Sequence, residues 1–348
     1  MSPNHFRIAI VGAATLKGRE LKDALEELNF PAVDVNLLDD DESLGQLETV
    51  GEEATFIQSV EPERFQRVDF AFFTSDEGFT RRHWQSAKQA GSTVIDLSYA
   101  LENQSGVPIS SPWFERDLES KGRARKQEID ISTTAVVTAH PAATILALLL
   151  LRLENAYGVK NAVSTFFEPV SELGKRGMDE LHQQTVNLLS FQSMPKTVFD
   201  EQIAFNMVTR FGQSATTSLE SVERRILQHY RTITSDALPL PSLMLVQTPV
   251  FHGHTFSIYV ELEQQPEKGK VQEALAGEHV SLTTAPEDSP SNVNAAGQGQ
   301  ILLAVRPVAD KPNAFWLWGA ADNLKLAAIT AVECAQALSM VRPSGKVQ

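Results

Sequence analysis

The chain has 348 residues, 42% hydrophobic and 7% aromatic, an ordinary globular balance for about two domains. Its 30 lysines and arginines are outnumbered by 44 aspartates and glutamates, and the formal charge of −14 with no long basic run argues against a nucleic-acid partner. The longest apolar stretch, Ile145–Leu151 after Ala142 and Ala143, falls far short of the ~20 residues of a membrane span, and Met1–Phe6 is no signal peptide, so a cytoplasmic protein with no membrane partner is expected.

Phe6–Val11 is a short apolar run closed by Gly12, and Leu21, Ala24, Leu25 and Leu28 follow at the i, i+3, i+4, i+7 spacing of a helix. Val33–Leu38, Val68–Thr74 and Thr93–Leu97 read as further strands and Arg81–Ala90 as a helix, an alternation that predicts an α/β, mostly parallel, doubly wound sheet. After Gly106-Val-Pro108 a charged segment, Arg116–Asp130, leads to a strand at Ala135–Thr138 and a helix after Pro141, which places a domain boundary near residue 130. Beyond it, strands at Ala162–Val170, Leu243–Val250, Thr255–Leu262 and Ile301–Val308 interleave with helices at Lys175–Leu189 and Leu219–Ile233, an α+β pattern with a broad sheet. On the first of these helices, Leu181, Leu188 and Leu189 with Gln183 and Gln184 read as core plus a solvated face. Glu278–Gln300 is rich in Ser, Pro, Asn, Thr and Gly and reads as a surface loop or a partly disordered segment, and a last helix, Asn323–Leu338, is expected to return to the first domain.

Three local features bear on chemistry. Gly12-Ala-Ala-Thr15-Leu16-Lys-Gly18, between strand and helix, looks like a phosphate-binding turn whose middle glycine is replaced by Thr15, a branched side chain where a phosphate would lie; equally, Gly12 and Gly18 could simply make the bend. Asp39, opening the run Asp39-Asp-Asp-Glu42 after the second strand, could accept the ribose hydroxyls of NAD, whereas a 2′-phosphate would meet only acids; NAD is therefore open, NADP disfavoured, and a solvated acidic loop is the alternative. Cys334 is the only cysteine, which excludes intrachain disulfides and cysteine metal clusters, and its apolar helical context marks it as a buried core residue. His252 and His254 could share a strand face, but with no cysteine nearby and no third ligand in register no metal site is expected.

The turn, Val94-Ile-Asp96-Leu-Ser, Ala139-His-Pro141, Pro169-Val-Ser171, Ile203-Ala-Phe-Asn-Met207, Glu223-Arg-Arg-Ile226, Gln247-Thr-Pro-Val-Phe-His-Gly-His254 and Ala321-Asp-Asn-Leu324 occur in an order that resembles the aspartate-β-semialdehyde dehydrogenases, most closely their Usg-like branch. The resemblance implies a Rossmann-like NAD-binding-type domain of residues 1–130 and 322–348, and an α+β dimerisation domain of residues 131–321 that forms a homodimer. It implies NADP-dependent reduction of an acyl phosphate through a thioester, and a link to amino-acid biosynthesis. The family's nucleophilic cysteine, after an Asn-Pro pair at a helix N-terminus, falls on Ala142, or on Ala143 with the gap placed differently. Its glutamine falls on Glu168, its carboxylate-gripping arginine on Gln247, its phosphate-gripping arginine near Leu101-Glu102, and its acid/base histidine on His254. An alanine methyl cannot attack a carbonyl, and both cationic clamps are gone. The expectation is a catalytically degenerate homodimer that binds an unknown small molecule or protein. The alternative is a surviving nicotinamide-dependent oxidoreductase acting on a semialdehyde, with His254 as acid/base and Glu168 as a second carboxyl group. In the second domain, Phe251, Phe256, Tyr259, Trp316 and Trp318 are either anchors of the dimer or intradomain core.

Overall fold

In the computed structural model, which describes residues 5–50, 53–120, 122, 129–267, 269–283 and 289–341, the chain divides into two compact units: Met1–Ala139 with Ala327–Gln348, and His140–Leu326. The first unit runs β1 (Phe6–Val11), α1 (Leu16–Glu27), β2 (Ala32–Asp39), β3 (Leu47–Val50), β4 (Glu53–Phe56), β5 (Gln58–Ser59), β6 (Phe70–Phe73), α2 (Glu77–Gln89), β7 (Thr93–Asp96), β8 (Ile109–Ser110), α3 (Pro112–Ser120) and β9 (Ala135–Thr138). Seven of these strands form one sheet in the order β5-β2-β1-β6-β7-β9-β8, every pairing parallel, while β3 and β4 make a separate hairpin. β6, β7 and β9 are buried along their whole length, as parallel strands covered on both faces must be, and this is why their apolar runs lack alternation. The expected boundary near residue 130 moves to Ala139/His140, because β9 pairs with β7 and β8 and so belongs to the first sheet.

The second unit runs α4 (Pro141–Tyr157), β10 (Val159–Glu168), α5 (Gly174–Leu189), α6 (Leu219–Thr234), β11 (Ser242–Gln247), β12 (His254–Leu262), α7 (Lys270–Leu275), β13 (Val280–Leu282), α8 (Asn292–Ala295), β14 (Ile301–Val308) and β15 (Lys311–Ala321). Its mixed sheet has the order β11-β10-β12-β15-β14-β13. β12 alternates strictly, with His254, Phe256, Ile258, Val260 and Leu262 buried and the residues between them half-buried, the period of a strand with one face on a core. Gly319 of β15 stands under the Phe256 ring, where a Cβ would collide with it. α9 (Asn323–Val341) starts in the second unit and from Ala327 belongs to the first. It has the length and apolar composition of a membrane span, but 72% of that apolar window is buried, which makes it a core helix that holds Cys334 fully buried.

Several expectations are corrected. The segment expected to be a loop, Glu278–Gln300, contains β13, paired with β14, and α8, whose Ser291 side chain caps Asn294; residues 284–288 lie outside the described set. The charged segment from Arg116 begins inside α3, and residues 121 and 123–128 are likewise outside the described set. Gln184 is not on a solvated face. It is fully buried, donating from Nε2 to the carbonyls of Pro195 and Glu201 and accepting at Oε1 from the amides of Ile203 and Ala204. One turn earlier, Glu180 accepts from the amides of Thr197, Val198 and Phe199 and from the Thr197 hydroxyl. Together these two side chains satisfy the backbone of the long connection between α5 and α6. The aromatic residues also divide: Phe256 is core, whereas Phe251 and Trp316 are exposed and Tyr259 and Trp318 half-buried.

Candidate functional site

The turn after β1 is built to satisfy itself. Gly12 has φ +93°, and its amide and that of Ala13 donate to Leu38 O. Ala14 N–H donates to Asp39 Oδ2 (2.7 Å), Thr15 N–H to Gly12 O, and Gly18 N–H to Thr15 Oγ1 (3.0 Å). Thr15 is thus the N-cap of α1, its hydroxyl turned back onto Gly12 O (2.7 Å) rather than out over the turn. Only Leu16 and Lys17 keep first-turn amides without a partner among the described residues, and the Lys17 ammonium reaches Leu97 O and lies over the Tyr99 ring. Asp39 is not part of a solvated loop: it is buried at the end of β2, and burial pushes its carboxyl above the ordinary range against the amides of Ala14 and Asp40. Most of the turn's polar groups are thus engaged within the chain, Asp39 by the amides of Ala14 and Asp40, and the amides of Leu16 and Lys17 are the ones left for an anion at the head of α1.

Asp96, at the end of β7, accepts from the amides of Ser98 and Leu101 and from the Ser98 hydroxyl. Burial pushes its carboxyl up despite these donors and the charge of Lys17. A raised folded value means that the stability from this group is complete below about pH 4, the ordinary aspartate range, and is lost as pH rises through the elevated value. The urea midpoint of the parent should therefore lose more than that of Asp96→Asn as pH is raised from about 4 to neutrality. Parallel profiles would show that Asp96 does not titrate in the folded protein.

In the second unit, strand alternation assembles a buried polar cluster. Glu168 ends β10, Gln247 ends β11 in register with it, and His254 opens β12; all three point to the buried face at one end of the sheet. His254 is fully buried, with Nε2 2.8 Å from Glu168 Oε2 and 3.7 Å from Glu172 Oε1, and its ring stands edge-on to Phe166. Burial alone would lower its pKa, but the charge and hydrogen bond of Glu168, with Glu172 and Asp322, outweigh this and hold it above the ordinary imidazole value. Gln247 turns its amide inward, donating to the carbonyls of Glu168 and Thr248. Ala142 is fully buried in the first turn of α4, where His140 is the cap, accepting from Ala142 N–H (3.2 Å) and lying 6.2 Å from the His254 ring.

His252 and His254 do not share a face. His252 lies in the turn before β12 with Nε2 2.7 Å from Asp322 Oδ2 and Nδ1 3.4 Å from Ser171 Oγ. Burial pushes the Asp322 carboxyl up, but the hydrogen bond and charge of His252 and the amides of Lys325 and Gly297 bring it below the usual range. Glu172, on the short turn after Pro169, escaped the sequence reading, although its place four residues after Glu168 was a usable signal; its Oε1 accepts from Asn323 Nδ2 (2.7 Å).

A family model described as the semialdehyde dehydrogenase NAD binding domain matches residues 7–120, and one described as the semialdehyde dehydrogenase dimerisation domain matches residues 150–326. The chain belongs to the semialdehyde dehydrogenase family. Within that family it is 30% identical to an aspartate-semialdehyde dehydrogenase of Rickettsia bellii over 96% of this chain and 97% of the relative. It is 31% identical to a USG-1 protein homolog of Azotobacter vinelandii, over 97% and 98%. Among solved structures, aspartate semialdehyde dehydrogenase II of Vibrio cholerae complexed with ASA superposes with a TM-score of 0.84 at 25% identity, covering 97% of this chain and 99% of that one. The family resemblance seen in the ordered motifs is thereby borne out, as are the Rossmann-like domain and the dimerisation-type α+β domain. Against this semialdehyde dehydrogenase framework, the head of α4 carries Pro141, Ala142 and Ala143, and the pocket beside it carries two glutamates and a histidine.

Proposed function

We propose that this protein is a homodimeric binding or regulatory member of the semialdehyde dehydrogenase family that performs no thioester chemistry. The observation that carries this reading is the first turn of α4: methyl groups stand where the resemblance places a thiolate, and the lone thiol, Cys334, is buried in α9. The largely self-satisfied turn after β1 supports it, as does a cluster whose acidic groups would repel an anionic, phosphorylated substrate. A coupled assay with aspartate semialdehyde, phosphate and NADP, followed by reduced-nicotinamide absorbance, should show no turnover; turnover dependent on the protein would overturn the proposal. Neither NAD nor NADP should raise the melting temperature at concentrations where a bound ligand at ~100 times its Kd would add ~2.7 kcal/mol.

The homodimer rests on the open face of the second sheet, where Val163 of β10, Met244 of β11 and Trp316 of β15 project outward while α4 and α6 pack the other face. Introducing a charge pair there, Val163→Glu with Met244→Glu, should convert a dimer to a monomer in light scattering. Retention of the dimer mass by this variant would place the interface elsewhere. As relatives are aspartate-semialdehyde dehydrogenases, we read the protein as cytoplasmic and tied by descent to amino-acid biosynthesis. A second reading is favoured by one distance: His254 and Glu168 lie 2.8 Å apart, within reach for acid/base work on an aldehyde. Turnover of an aldehyde that disappears in His254→Ala would select it.

A further inference from the structure

The polar cluster at the end of the second sheet gathers three groups able to donate electron pairs to an ion. Glu168, Glu172 and His254 each offer one ligand atom, all within 4.8 Å of one another, and Glu168 and His254 are buried. Neither glutamate is paired with a lysine or arginine among the described residues, and the neighbouring Gln247 has committed its amide protons to carbonyls. A second, independent sign is that Glu168 Oε1, the other oxygen of the carboxyl group that faces His254 Nε2, is fully buried with no hydrogen-bond partner among the described residues, on a side chain exposed by only 3%. Buried polar atoms without partners are rare and point to an absent water or ion.

We propose that Glu168, Glu172 and His254 bind one divalent cation of the zinc type, making this pocket a metal site rather than a site for an organic anion. One imidazole nitrogen and two carboxylate oxygens suit zinc, whose usual bonds of ~2.0–2.2 Å are met if the 2.8 Å contact of His254 Nε2 with Glu168 opens slightly and the 3.7 Å contact with Glu172 closes slightly around a common centre. The donors arrive on well-fixed elements: two ends of adjacent strands and the turn that follows one of them. Asn323 supplies the outer support, donating to Glu172 (2.7 Å) and to Ser171 Oγ (3.2 Å), the kind of contact that fixes a ligating carboxylate. Glu172 is the partly exposed member, with 15% of its side chain accessible, and gives an ion and a fourth ligand their route in. The site rests on reading this pocket as one for binding, so the two must be tested side by side.

The full-length protein, stripped with a chelator and dialysed separately against zinc, cobalt and magnesium, should retain one zinc or one cobalt per chain by elemental analysis and no magnesium. Bound cobalt should show the visible absorption of a low-coordinate site. Glu168→Gln and Glu172→Gln, which keep size and hydrogen bonding, should each weaken zinc binding at least ~10-fold. His182→Ala, on an exposed face of α5, should leave it unchanged. Substoichiometric zinc, or equal zinc in the glutamine variants and the parent, would overturn the site. The nicotinamide assay on the same samples separates the two ideas: turnover with metal bound sinks the non-catalytic reading alone, and no turnover with no metal sinks the metal site alone.

Discussion

Glu180→Ala is expected to lower the unfolding free energy by about 4 kcal/mol, because one buried carboxylate accepts four hydrogen bonds from Thr197, Val198 and Phe199. Bonds to a charged acceptor contribute ~1.5–3 kcal/mol each but are not additive when they share one group. The larger cost comes from what is left behind: Val198 and Phe199 are buried, so their amides cannot turn to water when the carboxylate goes. Glu180→Gln should cost about half as much, since its carbonyl oxygen still accepts while its amide faces an N–H donor. The urea midpoint measures both. An alanine variant within ~1 kcal/mol of the parent would show that the connection from α5 to α6 holds its shape without this side chain.

Gly12→Ala is expected to cost about 3 kcal/mol. At φ +93° an L-residue is strained by ~1–2 kcal/mol, and the new Cβ would stand 2.6 Å from Ser75 N and 2.8 Å from Thr74 Oγ1. Backbone cannot yield as a flexible side chain would, and Thr74 is itself fixed by donating to Gly12 O (2.9 Å). Moving the chain to relieve the clash would break the bonds from Gly12 and Ala13 to Leu38 that join the turn to β2. Calorimetric or urea unfolding near the parent value would mean that the turn relaxes freely, and the argument that its amides are firmly committed would fall with it.

The contrast between these two positions shows where sequence reading stops. Gly12 was legible because strand, glycine and helix are contiguous, and the local pattern names the bend. Strands such as Ile301–Val308 and helices such as Leu219–Thr234 were legible because their burial follows a short period along the chain. Glu180 and Gln184 were not, since their partners lie up to 20 residues away in a connection without periodicity. β13 is short and exists by pairing with β14, so a composition rich in loop residues concealed it. In the pocket, Glu168, Gln247 and His254 were picked out through the family motifs, but the inward turn of Gln247, the approach of Glu172 and the separation of His252 from His254 depend on side-chain directions fixed by the folded sheet. Asp39 shows the same limit: an acidic run looks solvated until the strand end is seen to bury its first member against Ala14.

A phosphate-binding loop that leaves its amides bare gains stability from its ligand, and such proteins are longest lived when the ligand is plentiful. The turn after β1 has little to gain, because Asp39, Thr15 and Leu38 already play the ligand's part from within the chain. The order of this turn is therefore supplied largely by the chain itself, and its resistance to proteases should vary little with the supply of an external anion.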